Sequence, residues 1–405
     1  MQEWRKGKRV AIVGAGPGGV SAALELIAQG FDVRIFEKTP EPRPLGGAVL
    51  LSTPVLAIMR KHGVDIETLG SRTRTLFCNH KGKIRADLPW NASVEAALGI
   101  PGWHYGMLRS NAFGRMMERL PKGVIFGAKQ ATGYSEARDD ITVHFADGTS
   151  ETADLLIGAD GINSPIAQQA FGDPGTFHIG LRVTLAWCED FGGIDRTVGK
   201  ICHSRDVQAS YFPMLHDGKP GWEWWVVERS TGEDEVIPDL KAHLKAHVAT
   251  FADPIPRFAD HTDFETQAFR WEIRNKPLMT TWCKGRVACV GDAVHPVSPY
   301  AAYGMGMAIE DGYFLARALS GQDLSQLSQI RSACKTYEAE RVAYVNHHVG
   351  FARTLGDRFH KAPAPLAWLR DMVFDHTPLL QRLLSKDYLQ DSETMSLHLK
   401  ELHVT

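Results

Sequence analysis

Three stretches of this chain run apolar without a break and then stop at glycine. Residues 10–13 lead into Gly14, residues 155–157 into Gly158-Ala159-Asp160-Gly161, and residues 287–290 into Gly291-Asp292. Runs of this kind suit strands buried on both faces of a parallel sheet. A further strand, residues 31–36, ends at Glu37. Before it, residues 21–29 are small and apolar and predict a helix lying close on that sheet.

From residue 173 to about 269 the texture changes. Residues 178–187, 209–214 and 221–228 are rich in aromatics, with Trp222, Trp224 and Trp225 in the last of them. These predict a mostly antiparallel sheet inserted into the fold. Residues 75–88 alternate around Lys81-Gly82-Lys83 and predict a hairpin, and residues 124–126 and 142–145 predict two more strands. Helices are expected at 53–62, 109–120, 305–319 and 333–353, and at 239–251, where Leu240, Leu244 and Val248 fall on one face. Residues 363–389 predict short amphipathic helices. The expected fold class is α/β: a parallel-sheet domain from 1–74, 98–172 and 270–352, an inserted sheet domain from 75–97 and 173–269, and a C-terminal helical segment, 353–405.

The first strand turn reads Gly14-Ala15-Gly16-Pro17-Gly18-Gly19. In such a turn Gly14 makes the bend, Gly16 admits a pyrophosphate to the backbone, and Gly19 lets the helix lie on the strand. The free amides and positive end of the helix then hold phosphate. Glu37, with Lys38 beside it, stands where a ribose hydroxyl is gripped. Strand, glycine turn, helix, strand and acid in this order predict a Rossmann-like dinucleotide site.

Composition narrows the partners. The chain has 405 residues and a formal net charge of −2, which gives no electrostatic case for nucleic acid. Six cysteines lie scattered without a Cys-x-x-Cys pair, as expected of reduced thiols in a cytoplasmic protein. Five of the first nine residues are charged and no apolar run is long enough for a membrane span. No cluster of ligand spacing is read, so no metal is expected, and His347-His348 reads as an exposed helix pair.

The three strand-end signatures, with Gly291-Asp292-Ala293-Val294-His295-Pro296 as the third, resemble the single-component FAD-dependent aromatic hydroxylases, the class typified by p-hydroxybenzoate and salicylate hydroxylases. The resemblance covers roughly residues 8–355. It implies that the parallel-sheet domain binds FAD and the inserted sheet binds substrate. It further implies that Arg43 and Arg109 steady the FAD phosphates or flavin, that Asp292 binds the ribityl chain or pyrophosphate, and that Asp160 and Gly161 serve FAD and the nicotinamide cofactor. Gly291, Gly304, Met305 and Gly306 would carry the backbone beside the flavin, and Pro299 would sit over the reactive ring. Two departures stand out: Ala302 and Ala167 occupy positions where the family usually has glycine and arginine.

The activity implied is hydroxylation of an electron-rich aromatic or heteroaromatic with NADH or NADPH and O2, through a C4a-hydroperoxyflavin. Substrate-side candidates are Arg182, Tyr211, Trp222, Trp224 and Tyr303, from strands whose alternating positions could face one pocket, with His216 as a further proton carrier. A monomer or homodimer is expected. Rival readings are an oxidase or reductase of the same fold, a non-catalytic FAD-binding protein, and a halogenase. The last rests on Trp222-Glu223-Trp224-Trp225-Val226-Val227, which looks like a Trp-x-Trp-x-Ile-Pro strand but lacks its Ile-Pro end.

Overall fold

A computed structural model describes residues 4–42, 47–88, 92–232, 235–298 and 303–404. Arg43 and Pro299 lie outside the described residues. The unbroken apolar runs form the inside of a six-stranded sheet, ordered Cys283–Lys284, Val287–Cys289, Leu155–Gly158, Arg9–Val13, Asp32–Phe36, Ile125–Phe126. Every pairing is parallel except that of the edge strand Cys283–Lys284. Val10, Ile12, Leu155, Leu156, Ile157 and Val287 have no exposed surface, each worth about 1.5–3 kcal/mol of burial. Parallel register places Val13 beside both Gly158 and Phe36, so the strands finish together. Gly14, Glu37, Asp160 and Asp292 thereby arrive at one edge of the sheet.

Helix Pro17–Ala28 follows the first strand and packs on helix Gly304–Ala318. Glycine sets how close the two lie: a Cβ on Gly312 would fall 2.4 Å from the Gly18 carbonyl oxygen.

The second sheet has nine strands. Its main path runs Ala268–Asn275, Phe177–Glu189, Lys219–Arg229, Gln208–His216, Val198–His203, Ser71–Asn79, His104–Leu108, Ala48–Ser52, with Ile84–Leu88 paired to Ser71–Asn79. It is antiparallel apart from the pairing of Val198–His203 with Ser71–Asn79 and a short contact of Leu215 with Met107. This sheet takes in Ala48–Ser52 and His104–Leu108, which lie in segments expected in the parallel-sheet domain. A three-stranded sheet, Ala131–Glu136, Ile141–Phe145 and Ser150–Ala153, was only partly anticipated.

Both faces of the nine-stranded sheet are covered. On one face, helices Leu240–Val248 and Ile255–His261 bury Leu244, Val248 and Phe258 against the strands. Near the other stand the 30-residue helix Leu327–Gly356, its continuation Asp357–Lys361, and the tail helices Ala364–His376, Leu379–Leu384 and Gln390–Glu401. No described helix is long and apolar enough to cross a membrane.

Candidate cofactor groove and substrate pocket

At the sheet edge Gly14 takes φ +101°, and a Cβ there would lie 2.3 Å from the Ala159 carbonyl oxygen. Gly19 is equally confined, by the Gly14 carbonyl oxygen at 2.2 Å. Gly16 is different: an added Cβ would meet nothing nearer than 3.8 Å, and its φ of −79° suits any residue. No neighbouring protein atom accounts for glycine at position 16, as expected where a ligand must approach the backbone. Helix Pro17–Ala28 opens with Pro17, has no side-chain cap and carries no acid in its first turn. Its amides are left for an anion.

The Glu37 carboxylate accepts from the Ala15 backbone N–H at 3.0 Å and, through its other oxygen, from the Thr39 N–H at 3.0 Å. The acid is thus fastened to the glycine turn itself. Lys38 beside it is exposed. Across the edge, both Asp160 oxygens are buried without a hydrogen-bond partner. Burial raises its carboxyl above the ordinary range against the lowering pull of Ser164 and Lys276. Gly161 follows at φ +83°.

Asp292 is open to the groove yet crowded by protein, which raises its carboxyl, while His295, Arg109 and Lys276 pull it down. Gly291 turns the chain at φ +61°, a conformation only glycine adopts at little cost. Helix Gly304–Ala318 then begins uncapped, with Met305 half-buried and Gly306 packed where a Cβ would lie 2.9 Å from Val55. Orphaned Asp160 oxygens, a glycine with no steric reason of its own and two uncapped helix starts fit a dinucleotide such as FAD.

A pocket enclosing about 880 Å³ of space, open solvent at its rim included, reaches this groove at Tyr303. Tyr303, the residue before helix Gly304–Ala318, belongs to its wall. The Tyr303 hydroxyl donates to Glu310 at 2.9 Å and accepts from the Ser52 hydroxyl at 3.1 Å. Glu310 is paired with Arg341 at 2.9 Å, and Arg341 reaches Asp311 at 2.9 Å, all without exposed surface. Asp311 accepts from the Gly291 N–H at 3.0 Å and from His295. One buried network therefore ties the pocket wall to the Gly291-Asp292 turn. Sequence reasoning missed Arg341 because the helix bearing it meets Asp311 only in the folded chain.

The remaining walls come from Phe212 and Trp225 of the nine-stranded sheet, stacked at 5.5 Å, and from Phe351, Leu355, Phe359 and Leu384 of the C-terminal segment. Three histidines line it. Burial holds His104 down at about 4. Burial, with His347 and Arg341, holds His348 at about 3, and burial with the nearby cations takes His203 well below its ordinary value. His348 is thus not part of an exposed pair; only His347 is exposed.

The structure separates the substrate-side candidates. Successive strand residues point to opposite faces, and Tyr211, Trp222 and Trp224 point away from the pocket into a core around Phe258. Trp222 donates to Asp190 and Trp224 to Thr262, both at 2.9 Å. Arg182 lies on that same face, paired with Glu228 at 3.0 Å, Glu235 at 3.2 Å and Glu272 at 3.6 Å. His216 sits at a strand end against Trp187 and Asp217, outside the pocket wall. Of that group only Tyr303 lines the pocket. Nor was the absence of a ligand cluster right as a geometric matter: Glu228, His243 and His247 each bring one ligand atom within 4.8 Å of the others. The other Glu228 oxygen is held by Arg182.

The groove and fold define a dinucleotide-binding protein with an inserted sheet. Residues 8–352 match the family model described as FAD binding domain, and the chain belongs to that family. It is 28% identical to 6-hydroxynicotinate 3-monooxygenase of Pseudomonas fluorescens over 86% of this chain and 93% of that protein. It is 25% identical to aurachin C monooxygenase/isomerase of Stigmatella aurantiaca over 95% and 96%. Among solved structures, a variant of Klebsiella pneumoniae HpxO complexed with FAD aligns with a TM-score of 0.80 at 25% identity, over 95% of this chain and 98% of that one. FAD is the cofactor of this fold.

Proposed function

We propose that this protein is an FAD-dependent monooxygenase that hydroxylates an aromatic or heteroaromatic small molecule, with NADH or NADPH as electron donor and O2 as co-substrate. The observation carrying the reading is Tyr303, which walls the pocket and immediately precedes the helix that starts at the cofactor groove. Relatives named for hydroxynicotinate and 3-hydroxybenzoate oxidation support a hydroxyl-bearing aromatic ring as the reacting part of the substrate. The parallel sheet would hold cofactor and the nine-stranded sheet substrate, the division expected from the sequence.

Bound FAD supplies hydride acceptance and oxygen activation. Gly14, Gly16 and the start of helix Pro17–Ala28 would hold its pyrophosphate, Glu37 its adenosine ribose, and Asp292 with Arg109 the flavin-proximal side. Apolar walls from the C-terminal helices exclude water from the reacting atoms. The Tyr303 hydroxyl, fixed between Ser52 and Glu310, holds this wall of the pocket to the start of helix Gly304–Ala318.

The purified protein should carry flavin absorbance and consume NAD(P)H faster with an accepted aromatic, giving a product one oxygen heavier. Accelerated consumption with hydrogen peroxide and no oxygenated product, across an aromatic panel, would replace monooxygenase with oxidase.

A further inference from the structure

The pocket's chemistry narrows the substrate, an inference that rests on the monooxygenase reading above. Among the described residues of its wall there is no lysine, arginine, aspartate or glutamate. The nearby cations are engaged elsewhere: Arg85 pairs with Asp371 and Asp375, Arg370 with Asp371, and Arg341 with Glu310 and Asp311. The three wall histidines are held neutral by burial, so they add no positive charge near pH 7. A carboxylate entering here would lose its water without gaining a cation, which is strongly unfavourable.

Besides the histidine nitrogens, two polar atoms in the wall stand ready instead. Gln208 Oε1 is buried and accepts no hydrogen bond, while its amide nitrogen donates to Ser210 at 3.0 Å. The Thr75 hydroxyl is also buried without a partner. A buried acceptor of this kind is satisfied by a ligand N–H or O–H. Beyond them Phe351, Leu355, Phe359, Leu380 and Leu384 make a continuous apolar wall from the C-terminal segment. These side chains offer apolar surface away from the polar end of the pocket.

We propose that the substrate is a neutral aromatic or heteroaromatic whose ring N–H or O–H donates to Gln208 Oε1 and whose alkyl or aryl extension lies along the C-terminal helices, and that carboxylated aromatics are excluded.

Matched pairs test this on the FAD-loaded enzyme: 4-hydroxyquinoline against 4-hydroxyquinoline-2-carboxylate, and resorcinol against 2,4-dihydroxybenzoate, with 4-hexylresorcinol against resorcinol for the extension. Binding is read from perturbation of the flavin spectrum, and turnover from NAD(P)H oxidation with product mass. The neutral member should bind tighter by about a hundredfold, the scale expected when a charge is desolvated without a partner. Gln208→Leu, close in size, should weaken neutral binding about tenfold with the flavin spectrum of the free enzyme unchanged. Leu380→Trp, at the far end of the apolar wall, should weaken the hexyl compound but not 4-hydroxyquinoline. Tighter binding of the carboxylated members would overturn the inference and leave the monooxygenase reading standing, as would Gln208→Leu binding neutral compounds as the parent does. Neutral compounds that bind but never yield an oxygenated product would overturn the monooxygenase reading while the chemistry of the pocket stood.

Discussion

The two faces of the nine-stranded sheet carry nearly the same residue types and do different work. On one, Tyr211, Trp222 and Trp224 close around Phe258, and the two indole N–H groups donate to Asp190 and Thr262. On the other, Phe212 and Trp225 stack on each other and border a pocket, with Gln208 Oε1 and the Thr75 hydroxyl unsatisfied. What separates core from site is not aromatic content but what covers it: Phe258 of helix Ile255–His261 fills the space over one face, and the other borders a pocket.

The sharpest way to break the comparison is to truncate a residue on each face. Trp224→Ala should cost about 3–5 kcal/mol of unfolding free energy, by denaturant melts, because it empties a fully buried site. The enzyme that remains folded should keep its substrate KM. A large rise in KM with little loss of stability would mean the wrong face had been assigned to the pocket.

Tyr303→Phe comes next. It removes the hydroxyl that donates to buried Glu310, a loss of about 1–3 kcal/mol in the wall of the site. Flavin-bound enzyme should show a lowered kcat, while Trp224→Ala should not. Gln208→Leu should have a smaller effect and the opposite balance. Its KM should rise about tenfold with stability unchanged or slightly improved, since an unpaired buried oxygen is removed.

The smallest effect sits behind the core face, where His247 donates to Glu228. That hydrogen bond outweighs burial and raises the His247 pKa above its usual 6.5. Its stabilisation is complete below that value and fades as pH rises through the raised one. Burial would raise Glu228, yet His247, His243 and Arg182 hold it at about 2 against the usual 4.5, so its share is present above 4.5 and lost as pH falls toward 2. His247→Ala should therefore lower the melting temperature most near pH 5–6 and least near pH 9, roughly the window these shifts define. An equal drop at both would sink the assignment.

Much of the cofactor edge was legible because its signals are local. Gly14, Gly16, Gly19 and Glu37 belong to one strand–turn–helix–strand unit, and a glycine demanded by backbone geometry announces itself in sequence. The strand pattern of the inserted sheet was legible too. Its facing was not, because a strand covered on both sides loses the polar–apolar alternation that distinguishes them. Trp224 and Trp225 are equally apolar, and only the unanticipated helix Ile255–His261 decides which is core. Arg182, expected to meet substrate, is absorbed by three carboxylates from separate segments. Leu380 and Leu384 reach the pocket from the far end of the chain, a contact no local pattern encodes.

The most direct measurement of this account is a crystal structure of the FAD-loaded enzyme with a neutral aromatic that it oxygenates. The ligand is predicted between Trp225, Tyr303 and Phe359, with a donor on Gln208 Oε1. Ligand density against Tyr211, Trp222 and Arg182 instead would contradict the assignment of the two faces.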